Sequence, residues 1–133
     1  MPTFVIIDDV FFQKMILKAS EEKDVLCLFL KDEKAFWDAL QEGIPEVILI
    51  DIGISSLDGP GLIQKLKQNP STKGITLIAF GGSLRADLLQ DAREMGADKA
   101  LSKSAFREQL TGIIRHYSKG QGGQAGKLLK KTK

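Results

Sequence analysis

The amino-acid sequence predicts an α/β fold in which five βα units build a doubly wound, five-stranded parallel sheet with helices on both faces. Short apolar runs without polar interruption, which are typical of strands buried on both faces, occupy residues 4–7, 25–30, 47–50 and 75–80, with residues 100–101 as a weaker fifth candidate. Segments with helical spacing alternate with these runs, which predicts right-handed crossovers and a parallel sheet. A length of 133 residues fits one domain with one core.

Five segments are predicted to be helices because their apolar residues recur three and four positions apart. In chain order, these residues are Phe12, Ile16 and Ala19; Ala35, Phe36, Ala39 and Leu40; Leu62, Ile63 and Leu66; Leu84, Leu88, Ala92 and Met95; and Phe106, Leu110, Ile113, Ile114 and Tyr117. Gly43 and Pro45 end the second helix, Pro60 suits the first turn of the third, and Gly96 closes the fourth.

Composition and charge favour a cytoplasmic domain with a basic tail. The single cysteine, Cys27, excludes an internal disulfide framework, and no segment approaches the length of a membrane span. Residues 119–133 carry five lysines and no acid, whereas the remaining residues carry 14 basic and 17 acidic side chains. We therefore predict a folded domain over residues 1–118 and a flexible basic tail over residues 119–133, with neither specific nucleic-acid recognition nor membrane insertion.

Charged side chains follow three of the predicted strands. Asp8 and Asp9 come after the first strand, Asp51 after the third and Lys103 after the fifth. The carboxyl ends of the strands meet in one crevice of a doubly wound sheet, so these groups should share a small space. Crowded carboxylates repel one another unless a cation intervenes, and a hard cation such as Mg²⁺ resolves that conflict. Lys103 could then neutralise a phosphoryl group attached to Asp51.

This arrangement resembles the receiver domain of bacterial two-component response regulators, over residues 3–118. The two key residues, Asp51 and Lys103, stand 52 positions apart, as in that family. The segment from Asp51 to Gly59 is similar to the family's D-x-x-x-P-x-x-D-G pattern, with Ser55 in place of the proline, and residues 96–98 resemble its G-A-D turn.

The resemblance implies a flavodoxin-like (βα)5 fold and a role for each site residue. Asp51 would be the phosphoacceptor, and Lys103 would contact the phosphoryl group. Asp8, Asp9, Asp51 and the main-chain carbonyl of Gly53 would hold Mg²⁺. The Gly82 N–H would also contact the phosphoryl group.

The sequence departs from the family where the conformational switch should be. The hydroxyl residue expected thirty positions after Asp51 is Gly81, and Ser83 is an alternative hydroxyl if the loop bends back. The aromatic residue expected on the fifth strand is Ala100. Ser104 replaces a proline that follows the lysine in a cis peptide, so the Lys103–Ser104 bond is predicted to be trans. Phosphorylation should therefore perturb the crevice more than the surface of the fourth helix.

Three functions compete at this stage. The first is a response-regulator receiver that accepts a phosphoryl group on Asp51 from a histidine kinase or phosphotransfer protein, and signals through a downstream protein target; it would not be an enzyme in its own right. No output domain follows residue 118 in this sequence. The second is a pseudo-receiver that binds proteins independently of phosphorylation. The third is a phosphatase or nucleotide-binding enzyme, which the lack of a Gly-rich loop after the first strand disfavours.

Overall fold

The structure is a computed structural model that describes residues 2–117, and it confirms the predicted fold class. Five parallel strands form one sheet in the order β2-β1-β3-β4-β5. The strands are β1 (Thr3–Ile6), β2 (Cys27–Leu30), β3 (Val47–Asp51), β4 (Thr76–Gly81) and β5 (Lys99–Ser102). The apolar runs located all five strands, with boundaries that shift by one or two residues. Asp51 is the last residue of β3 rather than the first residue beyond it.

Five helices cover the two faces of the sheet. They are α1 (Val10–Glu22), α2 (Glu33–Glu42), α3 (Gly59–Gln68), α4 (Ala86–Met95) and α5 (Lys103–Tyr117). Buried residues of α1 and α5 form one cluster with one face of the sheet, and buried residues of α2, α3 and α4 form a second cluster on the other face. The sheet is therefore buried on both sides, which explains why its strands are continuous apolar runs.

Aspartates at the carboxyl ends of the sheet begin three of the helices. The side chains of Asp9, Asp32 and Asp58 accept a hydrogen bond from a backbone N–H in the first turn of α1, α2 and α3, respectively. Helix N-termini leave such N–H groups without intrahelical partners, so an aspartate at this position stabilises the helix. Two of these caps, Asp9 and Asp58, are also residues that carried the family resemblance, and each has this structural role.

The start of α4 differs from the sequence-based prediction. Leu84 was assigned to the buried face of the fourth helix, but its side chain is 92% exposed. The chain leaves β4 through Gly82 in an extended conformation and forms a 3₁₀ turn at Ser83–Arg85, and α4 begins only at Ala86. Leu89, rather than Leu84, is the buried leucine of this region. The extra turn shifts the helical face that packs on the sheet.

Two further predictions concern the ends of the chain and the membrane. The boundary at residue 118 and the basic tail at residues 119–133 lie outside the described residues. Within residues 2–117, none of the helices has the combination of length and apolar character that a membrane span requires.

Candidate functional site

Four of the five strands contribute to one crevice at the carboxyl edge of the sheet. It lies where the chain order reverses between β1 and β3, the point at which doubly wound sheets bind their ligands. A cavity of about 520 Å³ opens there. Its lining residues are Asp8, Asp9, Asp51, Gly53, Gly82, Leu84, Arg85 and Lys103. The structure thus brings together every site residue predicted from the sequence.

Asp51 lies at the floor of this crevice, with a side chain that is 5% exposed. Its Oδ1 accepts a 2.9 Å hydrogen bond from the Gly53 N–H, whereas its Oδ2 accepts none from residues 2–117. Burial raises the pKa of the Asp51 carboxyl, and the nearby charges of Asp8 and Asp9 act in the same direction. The Gly53 N–H and the Lys103 ammonium oppose this rise. A buried carboxylate oxygen without a donor is an unusual arrangement, and it points towards a ligand.

Lys103 is held between two carboxylates and an aromatic ring. Its Nζ lies 3.4 Å from Asp9 Oδ2, 3.8 Å from Asp51 Oδ2 and 5.3 Å from the centroid of the Phe12 ring. Phe12 in turn contacts Phe80 and Phe106, whose rings are stacked at 4.2 Å. These three aromatic rings offer the ammonium no hydrogen-bond acceptor, so its charged partners are the carboxylates of Asp9 and Asp51.

Asp9 has two structural duties in the crevice. Its Oδ1 caps α1 through a 3.1 Å hydrogen bond from the Phe12 N–H, and its Oδ2 pairs with Lys103. The hydrogen bond from Phe12 holds the pKa of the Asp9 carboxyl below its usual value, and Lys103 adds to this effect. The pKa of the Asp9 carboxyl is therefore lowered and that of the Asp51 carboxyl is raised, although both carboxylates form an ion pair with Lys103.

The start of α5 is regular although Ser104 stands where the family resemblance predicts a proline. All peptide bonds among residues 2–117 are trans, which confirms the prediction for Lys103–Ser104. The helix α5 begins at Lys103 itself, and the Ser102 hydroxyl accepts a hydrogen bond of 3.1 Å from the Ala105 N–H. Ser102 is thus the N-cap of α5.

Gly81 stands at the end of β4, where the family resemblance predicts a hydroxyl residue, and Ile52 lies close beside it. A Cβ atom built there would lie 3.0 Å from Ile52 Cγ1 and 3.8 Å from Arg85 Cβ. Ile52 is buried and also packs closely against Gly59. The side chain of the residue after Asp51 therefore lies where a side chain at position 81 would begin. The side chain of the alternative hydroxyl, Ser83, lies outside the described part of the structure.

Ala100, which stands where the family resemblance predicts an aromatic residue, is held by a side chain of α4. Ala100 is buried in β5, and its carbonyl oxygen accepts a 2.9 Å hydrogen bond from Arg93 of α4. A second guanidinium nitrogen of Arg93 bonds Gln90 at 3.1 Å. At the turn before β5, Asp98 Oδ2 accepts hydrogen bonds from the Leu77 N–H at 2.8 Å and from Lys67 at 3.3 Å. These contacts fasten α4 and the start of β5 to the sheet.

The donor set of the crevice suits a hard divalent cation. Asp8, Asp9 and Asp51 offer carboxylate oxygens, which Mg²⁺ and Mn²⁺ prefer, and the Asp51 Oδ2 that accepts no hydrogen bond is the buried oxygen such an ion would satisfy. Within residues 2–117, no three acidic, histidine or cysteine side chains are already gathered in a ligating cluster. Lys103 sits between Asp9 and Asp51, so its ammonium and a bound cation would have to share the same carboxylates.

One residue of the crevice was not singled out from the sequence. Arg85 lines the cavity together with the predicted acids and Lys103. Arg85 is the fourth residue after Gly81, in the segment that joins β4 to α4. A basic residue so close to the position that lacks the expected hydroxyl is the feature of the sequence that could have drawn attention to it. Its placement depends on the 3₁₀ turn, which helical periodicity does not reveal.

Comparison with known proteins identifies the family of this chain. A family model described as the response regulator receiver domain matches residues 4–115. The chain therefore belongs to the response regulator receiver domain family, whose members are modules of two-component signalling. The family resemblance drawn from the sequence is confirmed.

Solved structures show the same fold at low sequence identity. The Mn²⁺-bound form of response regulator Rcp1 is 20% identical with a TM-score of 0.76, over 87% of this chain and 93% of that chain. A response regulator from Bermanella marisrubri is 22% identical with a TM-score of 0.76, over 87% and 96% of the two chains. A putative response regulator from Chloroflexus aurantiacus is 16% identical with a TM-score of 0.77, over 90% and 99%.

Proposed function

We propose that this receiver domain accepts a phosphoryl group on Asp51 in a two-component phosphorelay, from a histidine kinase or a phosphotransfer protein. The observation that carries the proposal is the Asp51 carboxylate itself. It is buried at the floor of an open crevice, its Oδ1 is fixed by the Gly53 N–H, and its Oδ2 faces Lys103 at 3.8 Å without a hydrogen bond. That oxygen is fixed in place and has no competing donor, as a nucleophile requires.

The transfer would use the residues of the crevice in defined roles. Asp51 Oδ2 attacks the phosphorus atom, its new O–P bond forms as the P–N bond of a phosphohistidine breaks, and the imidazole leaves. Lys103 Nζ lies close enough to neutralise part of the charge that gathers on the phosphoryl oxygens, and the Gly82 N–H lines the same cavity. Hydrolysis of the acyl phosphate by water would restore the carboxylate and release phosphate.

Mg²⁺ would be held by the Asp8, Asp9 and Asp51 carboxylates and the Gly53 carbonyl, and would supply positive charge for the phosphoryl oxygens. The Mn²⁺-bound relative Rcp1 shows a receiver of the same fold with a divalent cation. In the absence of such an ion, Lys103 relieves the repulsion between Asp9 and Asp51.

The output would be a contact with a downstream protein at the rim of the crevice. Three apolar side chains are exposed there or directly beside the acidic pair: Val10 is 63%, Phe11 76% and Leu84 92% exposed. A protein partner that reads the phosphorylated crevice would bury these apolar side chains, which is favourable. We propose a cytoplasmic location, no membrane insertion and no specific nucleic-acid partner. The chemistry is limited to the domain's own phosphorylation and dephosphorylation.

A pseudo-receiver is the second candidate function, and a specific observation favours it. Arg93 bonds the carbonyl of Ala100, so α4 is fastened to β5 where an aromatic residue would otherwise relay the signal. On this alternative, the surface of α4 binds a partner in one fixed state, whether or not Asp51 is phosphorylated.

The deciding experiment is the covalent labelling of the purified chain. Incubation with acetyl phosphate and Mg²⁺ should add one phosphoryl group to the wild type by intact mass, and none to Asp51→Asn. Asp58→Asn is the matched control, because Asp58 is an exposed helix cap in the same loop that does not line the crevice. It should label like the wild type. Labelling that persists in Asp51→Asn would contradict the proposal, and an unlabelled wild type would favour the pseudo-receiver.

A further inference from the structure

The missing hydroxyl at Gly81 leaves the phosphoryl group one contact short on the β4 side. The buried Ile52 lies in the space beside Gly81, with its Cγ1 3.0 Å from the position of a Cβ there. The residue on the open side of that space is Arg85, whose Cβ lies 3.8 Å from the position of a Cβ at Gly81. Among the side chains that the structure describes in this part of the chain, Arg85 is therefore the one placed to make a substitute contact.

Arg85 is free to make such a contact. Its side chain is exposed, and its guanidinium forms no hydrogen bond or ion pair with residues 2–117. By contrast, both terminal nitrogens of Arg93 on α4 are engaged. Arg85 lines the crevice that contains Asp51 and Lys103, but Lys103 is the cation that forms ion pairs with the carboxylates there. Arg85 thus borders the site, and its guanidinium is not held by another described residue.

The charge of a phosphoryl group would change that situation. The carboxylates of Asp8 and Asp9 remain in the crevice when Asp51 becomes an acyl phosphate, and the phosphoryl group places about two negative charges and three acceptor oxygens at its mouth. A guanidinium presents paired N–H donors whose geometry matches phosphoryl oxygens, whereas an ammonium acts as a point charge. Lys103 approaches from the α5 side and Arg85 from the β4–α4 side, so the two cations would hold the group from opposite walls.

We propose that Arg85 contacts the phosphoryl group on Asp51 and takes over the function of the hydroxyl that Gly81 lacks. This inference rests on the proposed phosphorylation of Asp51 and adds a mode of regulation to it. Arg85 is the last residue of the 3₁₀ turn and immediately precedes α4, so its contact moves the turn and the first turn of the helix. The later part of α4 stays in place, because Arg93 fastens it to Ala100. The signal is thus confined to residues 82–88.

The test uses fluoroberyllate, a phosphoryl mimic, with Mg²⁺ and the full chain. Binding is measured by titration, and amide chemical shifts are recorded in both states. Arg85→Ala should weaken the binding of the mimic about tenfold, the effect of losing one charge-assisted hydrogen bond at an exposed position. It should also remove the shift changes at residues 83–88 that the wild type shows. Arg85→Lys should recover part of the affinity, because the charge is kept and the paired donors are lost.

Arg107→Ala is the matched control, since Arg107 is an exposed arginine on α5 that does not line the crevice. It should bind the mimic like the wild type. Equal binding by Arg85→Ala and the wild type, with the same shifts at residues 83–88, overturns the role of Arg85 and leaves the phosphorylation of Asp51 intact. An Arg85→Lys variant that binds no better than Arg85→Ala also overturns it. A wild type that binds no mimic overturns the proposed function instead.

Discussion

Polar side chains in the crevice and polar side chains on the α4–β5 side of this domain differ in how many hydrogen-bond partners they have. In the crevice, Asp51 Oδ2 is buried without a donor, and Arg85 stands at the mouth without a partner among residues 2–117. On the α4–β5 side, the guanidinium of Arg93 and the carboxylate of Asp98 are each held by at least two contacts. Unsatisfied groups are the ones that respond to a ligand, whereas satisfied groups resist movement.

If Asp51 is phosphorylated as proposed, the chemistry of this receiver and the long-range relay expected from the family resemblance are separable. The chemistry needs acids and a lysine at the ends of β1, β3 and β5, and the topology of the sheet brings these together whatever the rest of the sequence does. The relay needs a hydroxyl and an aromatic residue on two further strands. Here Ile52 fills the space beside Gly81, and Arg93 holds the strand at Ala100. The departures at Gly81 and Ala100 thus each have a defined contact next to them.

The largest expected effect concerns the metal site in the crevice. Mg²⁺ at one hundred times its Kd should stabilise the wild type by about 2.7 kcal/mol, because the ion binds only the folded state. Asp9→Ala should abolish this stabilisation, measured as the shift of Tm with added Mg²⁺. The substitution removes the Asp9 carboxylate, which is one of the expected ligands of the ion and which forms an ion pair with Lys103.

Asp32→Ala is the control for the Mg²⁺ experiment. Asp32 caps α2 as Asp9 caps α1, and it does not line the crevice. Both substitutions should cost about 1 kcal/mol of stability through the lost cap. Only Asp9→Ala should lose the response to Mg²⁺. If Asp9→Ala binds Mg²⁺ as tightly as the wild type, Asp9 is not a ligand.

The second prediction asks whether the family's hydroxyl can simply be restored. Gly81→Thr should destabilise the protein by about 1–3 kcal/mol, because the new side chain overpacks against Ile52. A Cβ at the adjacent Gly82 meets nothing within 4 Å, so Gly82→Thr should change the stability by no more than about 0.5 kcal/mol. Urea denaturation measures both. In an Ile52→Ala background the cost of Gly81→Thr should fall, and an unchanged cost would show that Ile52 is not the obstacle.

The third prediction tests the clamp on the α4–β5 side. Arg93→Ala should lower the free energy of unfolding by about 1 kcal/mol, since it removes a charge-assisted hydrogen bond to a partly buried carbonyl. It should also let the response to fluoroberyllate spread from residues 82–88 into residues 92–102. Amide shifts and hydrogen exchange of β5 measure the spread. Arg107→Ala is again the control, and a response still confined to residues 82–88 in Arg93→Ala would show that another contact fastens α4.

The sequence predicted the fold and the central site for physical reasons that are local. Strands buried on both faces are uninterrupted apolar runs, and groups at strand ends must converge once the sheet is parallel. Asp9, Asp51 and Lys103 were found in this way, and the structure brings them into one crevice. Their roles in metal binding and phosphorylation stay predictions.

The contacts that adapt the site to its departures could not be predicted. The hydrogen bond from Arg93 to Ala100 joins a helix to a strand across a turn, and its existence depends on the position of α4 on the sheet. The exposure of Leu84 and the placement of Arg85 both follow from the 3₁₀ turn before α4, which a helical pattern passes over. Periodicity reports which face of a helix is buried, but not where the helix begins.

The smallest expected effect distinguishes the two carboxylates that share Lys103. Burial raises the pKa of Asp51, so the folded protein binds this proton more tightly than the unfolded chain, and ionisation of Asp51 costs stability above the pKa of the unfolded state. Asp51→Asn should therefore raise Tm at neutral pH, and the gain should fade as the pH falls towards 3.8, the ordinary value of the carboxyl.

Asp9→Asn should show the opposite sign, because the Phe12 N–H and Lys103 lower the pKa of Asp9. Its ionised form stabilises the fold at neutral pH, so the substitution should lower Tm there, with a loss that shrinks as acid protonates the wild-type carboxyl. Thermal melts between pH 3 and pH 7.5 without Mg²⁺ measure both variants. If Asp51→Asn lowered Tm at neutral pH, Asp51 would be stabilised by its ion pair with Lys103 and not poised to react. The contrast between a reactive crevice and a satisfied α4–β5 side would then lose its main support.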